Sequence, residues 1–146
     1  MSKRKTRHHE QYAALPFRIG PDGEPQVLLL TSRETGRWVI PKGWPMRGRK
    51  PREVAVQEAF EEAGLLGTAI GKRPVGQFHD SKDMPSGESI LCRVLVFLLL
   101  VEREADDVPE RGQRQARWFP AADAAALVEE GGLADIMLRA LWQRAA

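Results

Sequence analysis

Val94 to Val101 is an unbroken apolar run of eight residues, VLVFLLLV, inside a longer β-rich stretch from Ile90 to Val101. A strand that is apolar at every position has no face to turn to water, so it belongs in the middle of a sheet covered on both sides. The run is far shorter than the about 20 residues that a membrane-crossing helix needs. The rest of the chain must therefore supply strands to flank it and helices to cover it.

Both are legible. Gln11 to Ile19 reads as a first strand, and Gly20-Pro21-Asp22-Gly23 turns it into a second, Glu24 to Ser32, with the apolar core Val27-Leu28-Leu29-Leu30. Gly23 and Gly36 bracket that second strand, and the pair suits a hairpin. Trp38-Val39-Ile40 gives a short third strand stopped by Pro41, and Lys42 to Lys50 reads as loop because of Gly43, Pro45 and Gly48. Pro51 then fits the first position of a helix that runs to about Ala63 and buries Val54, Ala55 and Ala59, with Gly64 as its left-handed terminator.

Residues 73–81 and 89–102 read as strands joined at Pro85-Ser86-Gly87, and residues 104–113 as an acidic loop. Arg117-Trp118-Phe119 makes a last short strand. Pro120 opens an alanine-rich helix to about Glu130, Gly131-Gly132 breaks it, and Leu133 to Arg144 forms an amphipathic helix. The expected fold is α/β, a mixed sheet with helices packed on it, as one domain over residues 10–146 behind a flexible basic tail at 1–9.

The net charge of +2 selects no partner, but the cations are bunched: Lys3, Arg4, Lys5 and Arg7 at the start, then Lys42, Arg47, Arg49, Lys50 and Arg52 with no acid among them. The first block suits a solvated tail. The second suits either a solvated surface or an anionic ligand. Cys92 is the only cysteine, which excludes an intrachain disulfide, and its place in the apolar stretch reads as a small core hydrophobe. Residues 1–10 are polar and basic with no apolar signal segment, so a cytoplasmic protein without membrane association is expected.

Glu58, Glu61 and Glu62 share a helix face just before Gly64. Like charges so placed repel unless a cation lies among them, and hard carboxylate oxygens suit Mg²⁺ or Mn²⁺. Cleaving a phosphoanhydride asks for charge neutralisation on the phosphate and a positioned, activated water. A carboxylate cluster on a rigid helix behind a glycine loop can meet those demands.

This segment resembles the Nudix hydrolase signature, G-x5-E-x7-R-E-U-x-E-E-x-G-U, where U is a bulky aliphatic. Gly43, Glu58, Glu61, Glu62, Gly64 and Leu65 match, whereas Arg49, Gln57 and Ala59 depart, so six of nine defined positions are kept. The resemblance implies an α/β/α sandwich with metal at Glu58 and Glu62, joined by the Lys42 backbone carbonyl, and Glu61 as general base. The roles of Glu61 and Glu62 vary among family members. Arg49 stands where the family has Glu, and Gln57 where it has Arg, so two residues thought to steady the catalytic carboxylates have changed together. Gln57 can still donate to a glutamate.

Outside the signature, Thr31-Ser32-Arg33 and Gly36-Arg37-Trp38-Val39-Ile40-Pro41 are similar to the diphosphoinositol polyphosphate phosphohydrolase branch. There the positions of Ser32 and Arg33 bind substrate phosphates. Arg114 ahead of Trp118-Phe119 matches a basic residue of that branch, whereas Gln11 and Tyr12 stand where it carries cations on its first strand. The similarity covers about residues 11–145 in pattern, and only the glutamate segment is highly specific.

The implied substrate is a small, densely phosphorylated anion, gripped by Ser32, Arg33, Arg37, Gly43, Arg47, Arg49, Lys50 and Arg114. Dinucleoside polyphosphates or capped RNA form the second reading, for which Trp44 is the candidate aromatic platform; other nucleic acid is not implied. A binding module that has lost catalysis is the third, favoured by Arg49 and Gln57 and opposed by the intact glutamates. A homodimer is compatible with the resemblance. His79 beside Asp80 reads as structural, with a substrate contact as the rival.

Overall fold

The computed structural model describes residues 9–107, 114–142 and 144. The basic block Lys3 to Arg7, His8 and the acidic Glu110 lie outside the described residues. In chain order the elements are β1 (His9–Ile19), β2 (Pro25–Thr31), β3 (Trp38–Val39), β4 (Lys42–Gly43), α1 (Pro51–Ala63) and β5 (Leu65–Ala69). They continue as β6 (Gly76–Asp83), β7 (Ser89–Glu104), β8 (Ala116–Pro120), α2 (Ala121–Leu127) and α3 (Leu133–Trp142).

β7 carries the apolar run and is the hub of the sheet. It pairs parallel with β1 along His9↔Cys92 to Phe17↔Leu100 and antiparallel with both β5 and β6. The path β3-β2-β1-β7-β5 makes the spine, with β4 on β1, β6 on β7 and β8 on β2. One parallel pair among antiparallel neighbours makes the sheet mixed. The β1–β2 hairpin has the register Phe17↔Val27 to Ile19↔Pro25.

Strand alternation splits the apolar residues between two layers. Leu15, Val27, Leu29, Val96 and Leu98 face α2 and α3, where they meet Ala124, Leu133, Met137 and Leu141. Their neighbours Leu28, Leu30, Phe97 and Leu99 face α1 and meet Ala55 and Ala59. The fully apolar run is explained by that double cover. Cys92 is buried in the first layer, and burial pushes its thiol pKa up.

Five elements differ most from the sequence-based expectation; β6 starts at Gly76, not at residue 73. β1 begins at His9, inside the segment expected to be tail, because its main chain pairs with β7 from that residue onward. Lys42 and Gly43 are not loop but a two-residue strand on β1 (Tyr12↔Gly43, Ala13↔Lys42). β5 was not expected at all: it has five residues and a glycine, and its pairing shifts register between Leu66 and Gly67. α2 stops at Leu127 rather than Glu130, because Val128 is already extended.

α1 runs from Pro51 to Ala63 as expected. The Lys50 backbone N–H donates to Glu53 Oε1 at 2.7 Å, which ties the first turn, and Gly64 ends the helix at φ 69°. These two caps fix the phase of the helix and with it the direction in which each glutamate points.

Candidate active site

α1 delivers two of its four glutamates to one cleft. Glu58 and Glu62 both line a lobe of about 390 Å³ together with Lys42, Gly43, Trp44 and Arg114. A second lobe of about 310 Å³ adds Ser32, Arg37 and Asp80. Gln11, Arg33, Lys42, Glu62, Lys82 and Arg114 line both lobes, so the two are one continuous cleft. Glu61 is half-buried on α1 and lines neither lobe.

Gly43 is placed to accommodate Glu58. A Cβ at this position would lie 2.1 Å from Glu58 Oε2 and 2.7 Å from its Cγ, so only glycine lets the carboxylate rest against the β4 backbone. That contact also puts Glu58 beside the main chain of Lys42–Gly43. Glu62 is buried, 7% exposed, a rare state for a carboxylate without a cation. Its partner is Arg114, whose Nη1 donates to Glu62 Oε1 at 2.8 Å.

The cleft is rich in cations on its other walls. Lys42 Nζ donates to Asp80 Oδ2 at 2.7 Å, and Lys82 Nζ stands 5.7 Å above the Trp44 ring. The turn after β2 is closed by Ser32 N–H on the Arg37 carbonyl (2.6 Å) and Gly36 N–H on the Ser32 carbonyl (2.9 Å). It presents Ser32, Arg33 and Arg37 to the cleft. Arg37 Nε also donates to Thr35 Oγ1 at 3.1 Å.

Hard oxygen donors, namely two carboxylates beside the β4 main chain at a place that a Cβ would fill, fit Mg²⁺ or Mn²⁺. Among the described residues, no three His, Cys, Asp or Glu side chains already converge as a metal cage. The Arg114 guanidinium supplies the counter-charge at Glu62 instead.

The expected site residues therefore separate into two groups. Ser32, Arg33, Arg37, Lys42, Gly43, Glu58, Glu62 and Arg114 come together. The loop cations Arg47, Arg49 and Lys50 are exposed and do not line this cleft. Arg49 instead borders a groove of about 560 Å³ with Arg52, Gln57 and Gly67. Two of the three departures from the family signature, Arg49 and Gln57, thus share a groove that neither lobe includes. His79 is exposed on β6.

Two cleft residues escaped sequence reasoning. Gln11 is 2% exposed, and its Oε1 has no hydrogen-bond partner among the described residues although it lines a cleft of charges. The resemblance marks its position only as one where the diphosphoinositol polyphosphate branch carries a cation. Lys82 had a signal: on β6, Phe78 is buried, so alternation sends Asp80 and Lys82 to the same face.

Fold and cleft together define an α/β/α sandwich with a cationic, carboxylate-bearing pocket at one helix. The NUDIX domain family model matches residues 9–140, and the chain belongs to that family. Diphosphoinositol polyphosphate phosphohydrolase 3-beta of Bos taurus is 34% identical over 115 residues, which cover 77% of this chain and 64% of that protein. Nudix hydrolase 12, mitochondrial, of Arabidopsis thaliana is 32% identical over 102 residues, covering 68% of this chain and 50% of that one. The chain thus spans between half and two thirds of the length of these two curated relatives.

Among solved structures, the E. coli dihydroneopterin triphosphate pyrophosphohydrolase superposes with a TM-score of 0.68 at 16% identity, covering 93% of this chain and 98% of that one. The C. elegans Ap4A hydrolase does so at 0.62 and 18%, covering 93% and 99%. At such identities the likeness is one of fold. No helix among the described residues is long and apolar enough to cross a membrane.

Proposed function

We propose that the chain is a metal-dependent pyrophosphohydrolase that cleaves a phosphoanhydride bond in a densely phosphorylated small molecule, with diphosphoinositol polyphosphates as the favoured class. The observation that carries this is the joining of Glu58 and Glu62, beside the β4 backbone at Lys42–Gly43, to Arg33, Arg37, Lys42, Lys82 and Arg114 in one cleft. Carboxylates for a metal and five cations for phosphate oxygens are then within one binding space.

Mg²⁺ or Mn²⁺ held by Glu58, Glu62 and the Lys42 carbonyl would neutralise phosphate charge and lower the pKa of water. The chain's own residues do the rest. Arg33 and Arg37 project from a hydrogen-bonded turn, so their guanidiniums reach phosphates with little backbone ordering left to do. Lys42 and Lys82 add point charge on the opposite wall. Attack by water forms one P–O bond as the bridging P–O bond breaks; the leaving phosphate takes the electron pair, and a carboxylate takes the water's proton. Family resemblance assigns that proton to Glu61, and its place outside both lobes makes Glu61 a base reached only through rearrangement or through water.

Trp44 favours a second reading, in which the substrate is a dinucleoside polyphosphate or capped RNA whose base stacks on the exposed indole at the lobe. A phosphate-release panel with Mg²⁺ over diphosphoinositol polyphosphates, dinucleoside polyphosphates, nucleotide sugars and nucleoside triphosphates decides between them. Arg33→Glu should raise KM for the inositol pyrophosphate about tenfold more than for a nucleoside triphosphate. An equal effect on both removes the polyphosphate-gripping role, and no turnover of any substrate leaves a binding module.

A further inference from the structure

Arg114 and Glu62 form a buried ion pair, with side chains 16% and 5% exposed. Nη1 of Arg114 serves Glu62 Oε1 well at 2.8 Å, but Nε of the same guanidinium is buried without an acceptor among the described residues. A guanidinium offers five N–H donors, and a buried donor without a partner is costly. The arrangement is therefore good for Glu62 and poor for Arg114. Such a pair is poised to be exchanged when each member is offered something better.

Both offers are adjacent. Glu62 shares its lobe with Glu58 and the β4 backbone at Lys42–Gly43, where hard oxygens suit a divalent cation. On its other side Arg114 lines an open basin with Thr31, Ser32, Arg33 and Trp38. Its backbone neighbour is fixed: Thr31 N–H donates to the Gln115 carbonyl, and Gln115 N–H donates to Thr31 Oγ1, both at 2.9 Å. Any exchange is then a side-chain rotation rather than a loop movement.

We propose that Arg114 is the resident counter-ion of the metal site. It holds Glu62 until a divalent cation takes that carboxylate, and the released guanidinium then turns to phosphate oxygens beside Ser32 and Arg33. The inference rests on the assignment of Glu62 as a metal ligand. It makes metal binding and anion binding linked through one side chain: each raises the affinity for the other.

The test is an isothermal titration of the full chain with Mn²⁺ in the absence of substrate. Arg114→Gln should bind Mn²⁺ about tenfold more tightly than the unaltered chain, because the Arg114 guanidinium no longer has to be displaced, and Arg114→Lys should fall between. Glu62→Gln should weaken Mn²⁺ binding about tenfold or more. Unaltered or weaker affinity in Arg114→Gln, with Glu62→Gln still weakened, overturns the counter-ion role and leaves the metal site standing. Unaltered affinity in Glu62→Gln removes the metal-ligand assignment itself, and the inference with it.

Methylenediphosphonate, which is not hydrolysed, reads the second half. Arg114→Gln should cost little affinity with the metal chelated and about tenfold with Mg²⁺ present; equal losses in both conditions contradict release. Where Arg114→Gln does not fold, the Nε–Hε NMR signal of Arg114 in the unaltered chain gives the answer. It should move on saturation with Mg²⁺, and a signal that stays in place overturns the proposal.

Discussion

Gly43 has no side chain because Glu58 fills the space one would need. The nearest atoms belong to a flexible carboxylate rather than to backbone, so an added methyl displaces the glutamate without breaking the fold. Gly43→Ala should lower Mn²⁺ affinity and kcat/KM about tenfold to a hundredfold, with a melting temperature close to that of the unaltered chain. Parallel titrations and thermal melts of the two proteins check this, and unchanged turnover would contradict the placement of Glu58. The sequence shows that a glycine stands before the glutamates, and chemistry suggests why. It does not show that Glu62 is buried on Arg114, since those two residues are 52 positions apart and meet only through the β2–β8 pairing. Gln11 was hidden for a similar reason: an amide at a strand start has no signature until its neighbours are known.

At the scale of elements, α1 was legible to the residue and β5 not at all. Pro51, Glu53 and Gly64 act on their own helix, so their effect can be read locally. β4 and β5 exist because β1 and β7 offer main-chain partners, and two or five residues carry too little side-chain pattern to announce that. Gly67 shows how close that pairing is: a Cβ there would lie 2.0 Å from the Leu100 carbonyl oxygen and 3.0 Å from Val101 Cα. Backbone on a central strand cannot yield as a carboxylate can. Gly67→Ala should therefore destabilise the protein by about 2–3 kcal/mol, seen as a fall in denaturation midpoint at unchanged m-value. A midpoint equal to that of the unaltered chain would contradict the described register at the β5 bulge.

For the whole molecule, the apolar run in β7 dictates a sheet covered on both faces, and the two cores assign α1 to one face and α2 with α3 to the other. That division leaves α1 as the helix that can present glutamates to a cleft walled by the turn after β2, by β6 and by Arg114. The basic loop at Arg47 to Lys50, conspicuous in the sequence, does not line this cleft, and cations from other segments do. Clustering along a chain and clustering in space are different things, and here strand register decided between them. The most direct test is Mg²⁺-dependent phosphate release from a diphosphoinositol polyphosphate by the unaltered chain, Glu58→Gln and Glu62→Gln, with circular dichroism as the control for folding. The unaltered chain should turn over substrate only with the metal, and each variant should lose about a hundredfold or more in kcat while remaining folded. Full activity in either variant would contradict the assignment of this cleft as the active site.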